Sequence, residues 1–182
     1  MTSSRSWRRS SRISIYLPHS YFTGRLNLTS MRSCVFCKIV CGEAPARVVY
    51  ESEGVLAFLD IRPINEGHTL VIPKRHYVHI WELPDNEVAR LFVAARRIAE
   101  ALREALGASG VRIVQLNGRA AGQEVFHLHI HVIPYYGKAK ETPERRTTQK
   151  AELDIIAERI RKFLYRDSAH SLPEPWNTGF RS

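Results

Sequence analysis

Three histidines stand at alternate positions in Phe126-His127-Leu128-His129-Ile130-His131-Val132-Ile133-Pro134. In an extended strand successive side chains point to opposite faces, so His127, His129 and His131 share one exposed face, ~7 Å apart at each step. Leu128, Ile130 and Val132 turn the other way, toward a core. A single strand histidine is usually structural. Three unpartnered imidazoles would cost stability without return, so the row points to chemistry. Two chemistries fit: a three-histidine metal site, or phosphoryl transfer, where neutral imidazole is the nucleophile and its cation a proton donor. The preceding Asn117-Gly118-Arg119-Ala120-Ala121-Gly122-Gln123 favours the second, because glycines let backbone N–H groups approach an anion closely.

A second cluster lies near the front of the chain. Cys34-Val35-Phe36-Cys37 has the thiol spacing of a zinc half-site. Two buried cysteines without metal are the other reading of the pair taken alone. A redox dithiol fits less well, since no βαβ pattern surrounds it. With Cys41 these are the only cysteines, too few and too clustered for a disulfide framework. Cys41 itself is expected to be a small apolar residue.

Elements able to position these residues follow from hydrophobic periodicity. Ala46 to Ser52 and Val55 to Leu59 read as strands of a hairpin across Glu53-Gly54, and Thr69 to Pro73 as a buried third strand. Asn86 to Leu106 reads as a helix whose apolar face is Val88, Leu91, Phe92, Ala95, Ile98, Ala99, Leu102 and Leu106. Asp85 is its expected N-cap and Gly107 its C-cap. Val111 to Leu116 is a fourth strand, and Val125 to Ile133, ended by Pro134, a fifth. The helix from Asn86 is the natural cover for the Leu128, Ile130, Val132 face. Lys138 to Arg146 reads as a linker and Ala151 to Leu164 as a second helix, with Leu153, Ile156, Ile160, Phe163 and Leu164 on one side. Strands, helix, then strands imply an α+β domain with an antiparallel sheet.

The 182 residues suffice for one domain with some chain left over, at 44% hydrophobic and 25% charged. The net charge of +9 invites an acidic partner, but residues 1–30 hold five arginines and no acid. Subtracting those five leaves +4, which suits a phosphate-binding enzyme without demanding nucleic acid. Residues 1–30 are Ser- and Arg-rich without period. They read as a disordered tail or an upstream start with translation beginning at Met31, and less well as a transit peptide. The expected organisation is 1–30 tail, 31–140 catalytic domain and 141–182 C-terminal extension with its helix at about 151–164. No apolar run suggests a membrane span, and the cytoplasm is the expected compartment.

The histidine row preceded by Gly122-Gln123 resembles the signature of the histidine-triad family. Phe58-Leu59-Asp60-Ile61-Arg62-Pro63 and Gly67-His68-Thr69-Leu70-Val71-Ile72-Pro73-Lys74-Arg75-His76 resemble its first half. The likeness runs from about Cys34 to Tyr136, with separated motifs in the right order. It implies a five-stranded antiparallel sheet with a long helix packed on it, and a homodimer. It implies that His129 is the nucleophile, forming a nucleotidyl-histidine that water hydrolyses, and that His131 contacts the phosphate. It sets Asn117 and Gln123 around the α-phosphate and Asp60 on the ribose hydroxyls. Val35, Phe36, Ile39, Leu59 and Ile61 become nucleoside-pocket walls, a role no easier to infer for them than plain core. Zinc-binding branches, and the related galactose-1-phosphate uridylyltransferases, pair such a CxxC with two histidines. Here these are His76 and His127, giving a closed structural zinc site with Cys34 and Cys37. Glu124 departs from the pattern: well-known branches carry Ser or Thr there, and a carboxylate would repel phosphate unless protonated or turned away. His68 falls in the family's Gly-His pattern and receives no catalytic role.

The resemblance implies a hydrolase of purine nucleoside phosphoramidates or dinucleoside polyphosphates. Removal of AMP from adenylylated DNA ends, as in aprataxin-like members, ranks lower because most of the positive charge lies in the tail and no second zinc-finger pattern follows. A non-catalytic nucleotide-binding scaffold, or a pure zinc-binding module, are the alternatives of another class.

Overall fold

Val55, Ala57 and Leu59 alternate with Leu56 and Phe58, and the two sets are buried on opposite faces of one sheet. A computed structural model describes residues 33–137 and 150–166. The readings of residues 1–30, the linker at 138–146 and the chain after residue 166 lie outside these. A short helix α1 (Val35–Val40) leads into strands β1 (Val48–Glu51), β2 (Val55–Leu59) and β3 (Thr69–Pro73). A 3-10 turn (Ile80–Glu82) and the long helix α2 (Asp85–Leu106) follow, then β4 (Gly110–Gln115), a 3-10 turn (Arg119–Ala121), β5 (Ile130–Tyr135) and helix α3 (Lys150–Leu164). The five strands form one antiparallel sheet in the order β1-β2-β3-β5-β4. This is the α+β architecture that the sequence implies.

On one face Leu128, Ile130 and Val132 pack with Leu91, Ala95, Ile98 and Leu102 of α2 and with Leu153, Ile156 and Ile160 of α3. Each such side chain, fully withdrawn from water, contributes about 1.5–3 kcal/mol. On the other face Phe36 and Ile39 of α1 pack on Leu56, Phe58, Leu70 and Ile72. The histidine row belongs to this second face, where His131 is the register partner of Leu70. Helix α3 also covers the β1 edge: Arg161 donates to the Val48 carbonyl at 3.0 Å, and the Glu51 N–H donates to the Tyr165 hydroxyl at 3.3 Å. Among the described residues, no helix is long and apolar enough to cross a membrane.

Four expectations need correction. The fifth strand begins at Ile130, not Val125, so His127 and His129 precede the ladder. The cause is Pro73 opposite: it has no N–H to give, its carbonyl accepts from the His127 ring, and the Leu128 N–H goes to the Tyr77 carbonyl at 2.6 Å. Pro134 does not end the strand, which runs to Tyr135; beyond Val132 only β4 flanks it, where a residue without an N–H is tolerated. Asp85 is the first helical residue rather than the cap, and Pro84 precedes it with extended backbone and accepts from the N–H groups of Glu87 and Val88. Phe92, assigned to the buried helix face, is 42% exposed.

Candidate active site

The alternation at residues 127–131 survives without the ladder. His127, His129 and His131 stay on one side, with ring centroids of His129 and His131 4.8 Å apart. All three are buried rather than exposed, and α1 packs on two of them: Phe36 meets His127 and His129 in T-shaped contacts, with centroids 5.8 and 5.4 Å away.

Backbone and side-chain partners settle each imidazole's tautomer, since a carbonyl only accepts. His129 Nδ1 lies 2.7 Å from the His127 carbonyl and must donate, so Nε2 carries the lone pair. His127 Nε2 donates to the Pro73 carbonyl at 2.9 Å, leaving Nδ1 bare. His68 Nδ1 accepts from the Ile64 N–H at 3.2 Å, so its Nε2–H donates to His131 Nδ1 at 3.0 Å. The proton of neutral His131 is thereby placed on Nε2. Asp60, His68 and His131 are close enough to suggest a metal set, but both ring nitrogens of His68 are already committed to hydrogen bonds.

His129 and His131 line a cavity of about 250 Å³. Its apolar walls include Val35, Phe36, Ile39, Leu59 and Ile61, all five of the residues expected as nucleoside-pocket walls. Asp60 lines it as well, buried, with its carboxylate accepting from the Arg62 N–H at 2.9 Å. Asn117 and Gln123 are not among the lining residues. Asn117 Oδ1 accepts from the Ile80 N–H at 2.9 Å. Gln123 accepts from the Gly118 N–H at 2.7 Å and donates to the carbonyls of Val78 and Val125. Both amides thus pin the loop beside the cavity. Gly118 and Gly122 in that loop have φ of 84° and 89°, where a side chain would be strained.

Cys34, Cys37, His76 and His127 converge from three separate segments behind the histidine row, with their ligand atoms within 4.8 Å of one another. His127 Nδ1 lies 3.5 Å from the Cys34 Sγ and 3.6 Å from the Cys37 Sγ, and His76 Nδ1 lies 3.2 Å from the Cys37 Sγ. Tetrahedral zinc, with bonds of roughly 2.3 Å to sulfur and 2.0 Å to nitrogen, sets S···N separations of roughly 3.5 Å. The donor set therefore fits zinc in type and spacing, and the Pro73 carbonyl orients the His127 ring as an outer partner should. The thiols titrate as a pair. The Cys37 thiol's hydrogen bond, helped by His127 and His76, holds Cys34 far below the ordinary thiol range, while that same bond and burial push Cys37 up. Cys41 stands apart at the end of α1, half-buried, its thiol raised by burial.

Residues 41–138, more than half of the chain, match the HIT domain. The chain belongs to the histidine-triad (HIT) family. It is 48% identical over 128 residues to an uncharacterised HIT-like protein of Methanocaldococcus jannaschii, an alignment covering 70% of this chain and 98% of the relative. It is 42% identical over 106 residues to the adenylylsulfatase HINT3 of Arabidopsis thaliana, covering 58% of this chain and 54% of that protein. Among solved structures, a Zn-bound histidine triad family protein from Mycobacterium smegmatis superposes with a TM-score of 0.69 at 43% identity, covering 77% of this chain and 99% of that one.

Two features of this HIT protein escaped sequence reasoning. His68 donates to His131 from a buried position just before β3; its place in the family's Gly-His pattern was the signal, and no role was read from it. Arg62 and Glu124 meet at 3.7 Å beside the cavity, a pairing across 62 residues that no local pattern announces. His79, patternless in sequence, stacks on exposed Trp81 with centroids 4.7 Å apart; His19 and His170 lie outside the described residues.

Proposed function

We propose that this HIT protein is a nucleotide hydrolase or nucleotidyl transferase. It attacks the α-phosphorus of purine nucleoside phosphoramidates or dinucleoside polyphosphates. The observation that carries this reading is His129: a buried imidazole lining the cavity whose Nδ1 proton goes to a carbonyl, which leaves the lone pair on Nε2. Nε2 forms a bond to phosphorus as the bond to the leaving group breaks and its electron pair departs with that group, as an oxyanion from a polyphosphate or as an amine that takes up a proton from a phosphoramidate. His131, its proton set on Nε2 by His68, donates to the phosphate as charge develops. Water then cleaves the phosphorus–nitrogen bond, releasing the nucleoside monophosphate and restoring His129.

The base lies between Val35, Phe36, Ile39, Leu59 and Ile61, and Asp60 accepts from the ribose hydroxyls. Asn117 and Gln123 hold the glycine loop in the shape that sets its N–H groups against the α-phosphate. A structural zinc held by Cys34, Cys37, His76 and His127 ties α1, and with it Phe36, to the histidine segment. Two such subunits associate through the β4 edge, unpaired among the described residues and carrying exposed Ile113, and through exposed Phe92 and Val93 of α2. Residues 31–140 form the catalytic domain and 141–182 its extension.

The test is turnover of adenosine phosphoramidate and diadenosine tetraphosphate, in parallel, by the wild-type protein and His129→Ala. Cleavage of either substrate by wild type alone supports the reading. A folded, zinc-loaded wild type that cleaves neither contradicts it and favours a scaffold.

A further inference from the structure

Besides His129 and His131, three residues lining the cavity are ionisable: Asp60, Arg62 and Glu124. Asp60 is buried and its carboxylate is engaged by the Arg62 backbone. The other two lie outward. Arg62 Nη2 and Glu124 Oε2 are 3.7 Å apart, and each side chain is 64% exposed. The cavity therefore brings together apolar walls, the buried histidines and Asp60, and an exposed ion pair. A group leaving the phosphorus attacked by His129 departs into a space that this pair lines.

The two acids alone would make the lining repel a phosphate-bearing ligand, and Arg62 is the one arginine or lysine in it. An exposed pair at this distance is weak, so a competing anion exchanges for the carboxylate at little cost. A guanidinium presents its donors as a planar fork that matches the oxygens of a tetrahedral oxyanion, which a carboxylate satisfies only in part.

Resting on the α-phosphorus reading above, we propose that Arg62 selects substrates whose leaving group is an oxyanion, with Glu124 as its displaceable counterion. As the His129 Nε2–phosphorus bond forms, the phosphorus–oxygen bond breaks and its electron pair stays on the departing oxygen. Arg62 donates to that leaving group as the charge builds. A leaving amine makes no claim on Arg62, and the Arg62–Glu124 pair stays closed.

The experiment compares kcat/KM for diadenosine tetraphosphate with that for adenosine phosphoramidate in wild type, Arg62→Gln and Glu124→Gln. Loss of a charge-assisted hydrogen bond predicts that Arg62→Gln lowers the polyphosphate-to-phosphoramidate ratio roughly tenfold or more. Glu124→Gln, which removes the competitor, should raise that ratio a few-fold. Calorimetric titration with ADP and AMP adds a readout without turnover: Arg62→Gln should bring ADP affinity down toward that of AMP, and Glu124→Gln should raise it. Equal losses on both substrates, or an ADP preference that ignores both substitutions, overturn the selector role while leaving the hydrolase reading intact. A wild-type protein that binds neither nucleotide and turns over neither substrate sinks the hydrolase reading, and this inference with it.

Discussion

His129 donates its Nδ1 proton to the carbonyl of His127, 2.7 Å away in the same short segment. The bond is local, yet it needs the chain to leave the β-ladder there. Pro73 arranges that by offering no N–H and by accepting from the His127 ring instead. The residue that ends the ladder thus helps set the tautomer of the nucleophile.

His68 governs His131 in the same manner from the next strand. Its Nε2–H fills the Nδ1 of His131, so His68→Ala frees that ring to rotate and to change tautomer. The expected loss in kcat is about 10–100-fold, the usual cost of removing a partner that orients a functional imidazole. KM should change little, because His68 does not line the cavity. A rise in KM with kcat intact would instead make His68 a binding residue.

Removing the metal should cost stability as well as activity. The four ligands join α1, the segment after β3 and the histidine segment. Elemental analysis should find one equivalent of zinc in the wild-type protein and none after Cys37→Ala or prolonged chelation. Either treatment should also lower Tm by at least ~10 °C, given several kcal/mol of metal-linked folding energy. Wild-type protein refolded with zinc that keeps less than one equivalent would rule the site out.

Gly67 tests how α2 positions His68. Its φ is 86°, and an added Cβ would stand 2.6 Å from Leu106 Cδ1 and 2.9 Å from Leu102 Cδ2. Gly67→Ala should therefore destabilise the protein by about 2–4 kcal/mol in urea unfolding, combining backbone strain with overpacking. A change below ~0.5 kcal/mol would show that the turn relaxes freely.

The β4 edge predicts an oligomeric state. Ile113→Glu combined with Phe92→Glu should convert a dimer to a monomer in sedimentation, with the fold retained by circular dichroism. Wild type that already sediments as a monomer at micromolar concentration contradicts the dimer.

Much of this was legible from local pattern. Alternation placed Leu128, Ile130 and Val132 in the core, period 3.6 gave α2, and CxxC marked a zinc half-site, while His76 and His127 as its partners came from the family resemblance. What escaped depends on chain-distant partners. The strand boundary at Ile130 was set by Pro73, 57 positions earlier, and His68 acquires its role only when β3 lies beside β5. Phe92 fits the helix stripe, yet that flank of α2 is only partly covered by the described residues, which leave Phe92 42% exposed.

The most direct test of the central claim is to trap the intermediate. Wild-type protein mixed with adenosine phosphoramidate is quenched under denaturing, mildly alkaline conditions, then digested and analysed by mass spectrometry. An adenylyl group should appear on the peptide carrying residues 127–131, assigned to His129 by fragmentation and missing from His129→Ala. Steady turnover with no covalent adduct at any quench time, or an adduct on His131 instead, would contradict it.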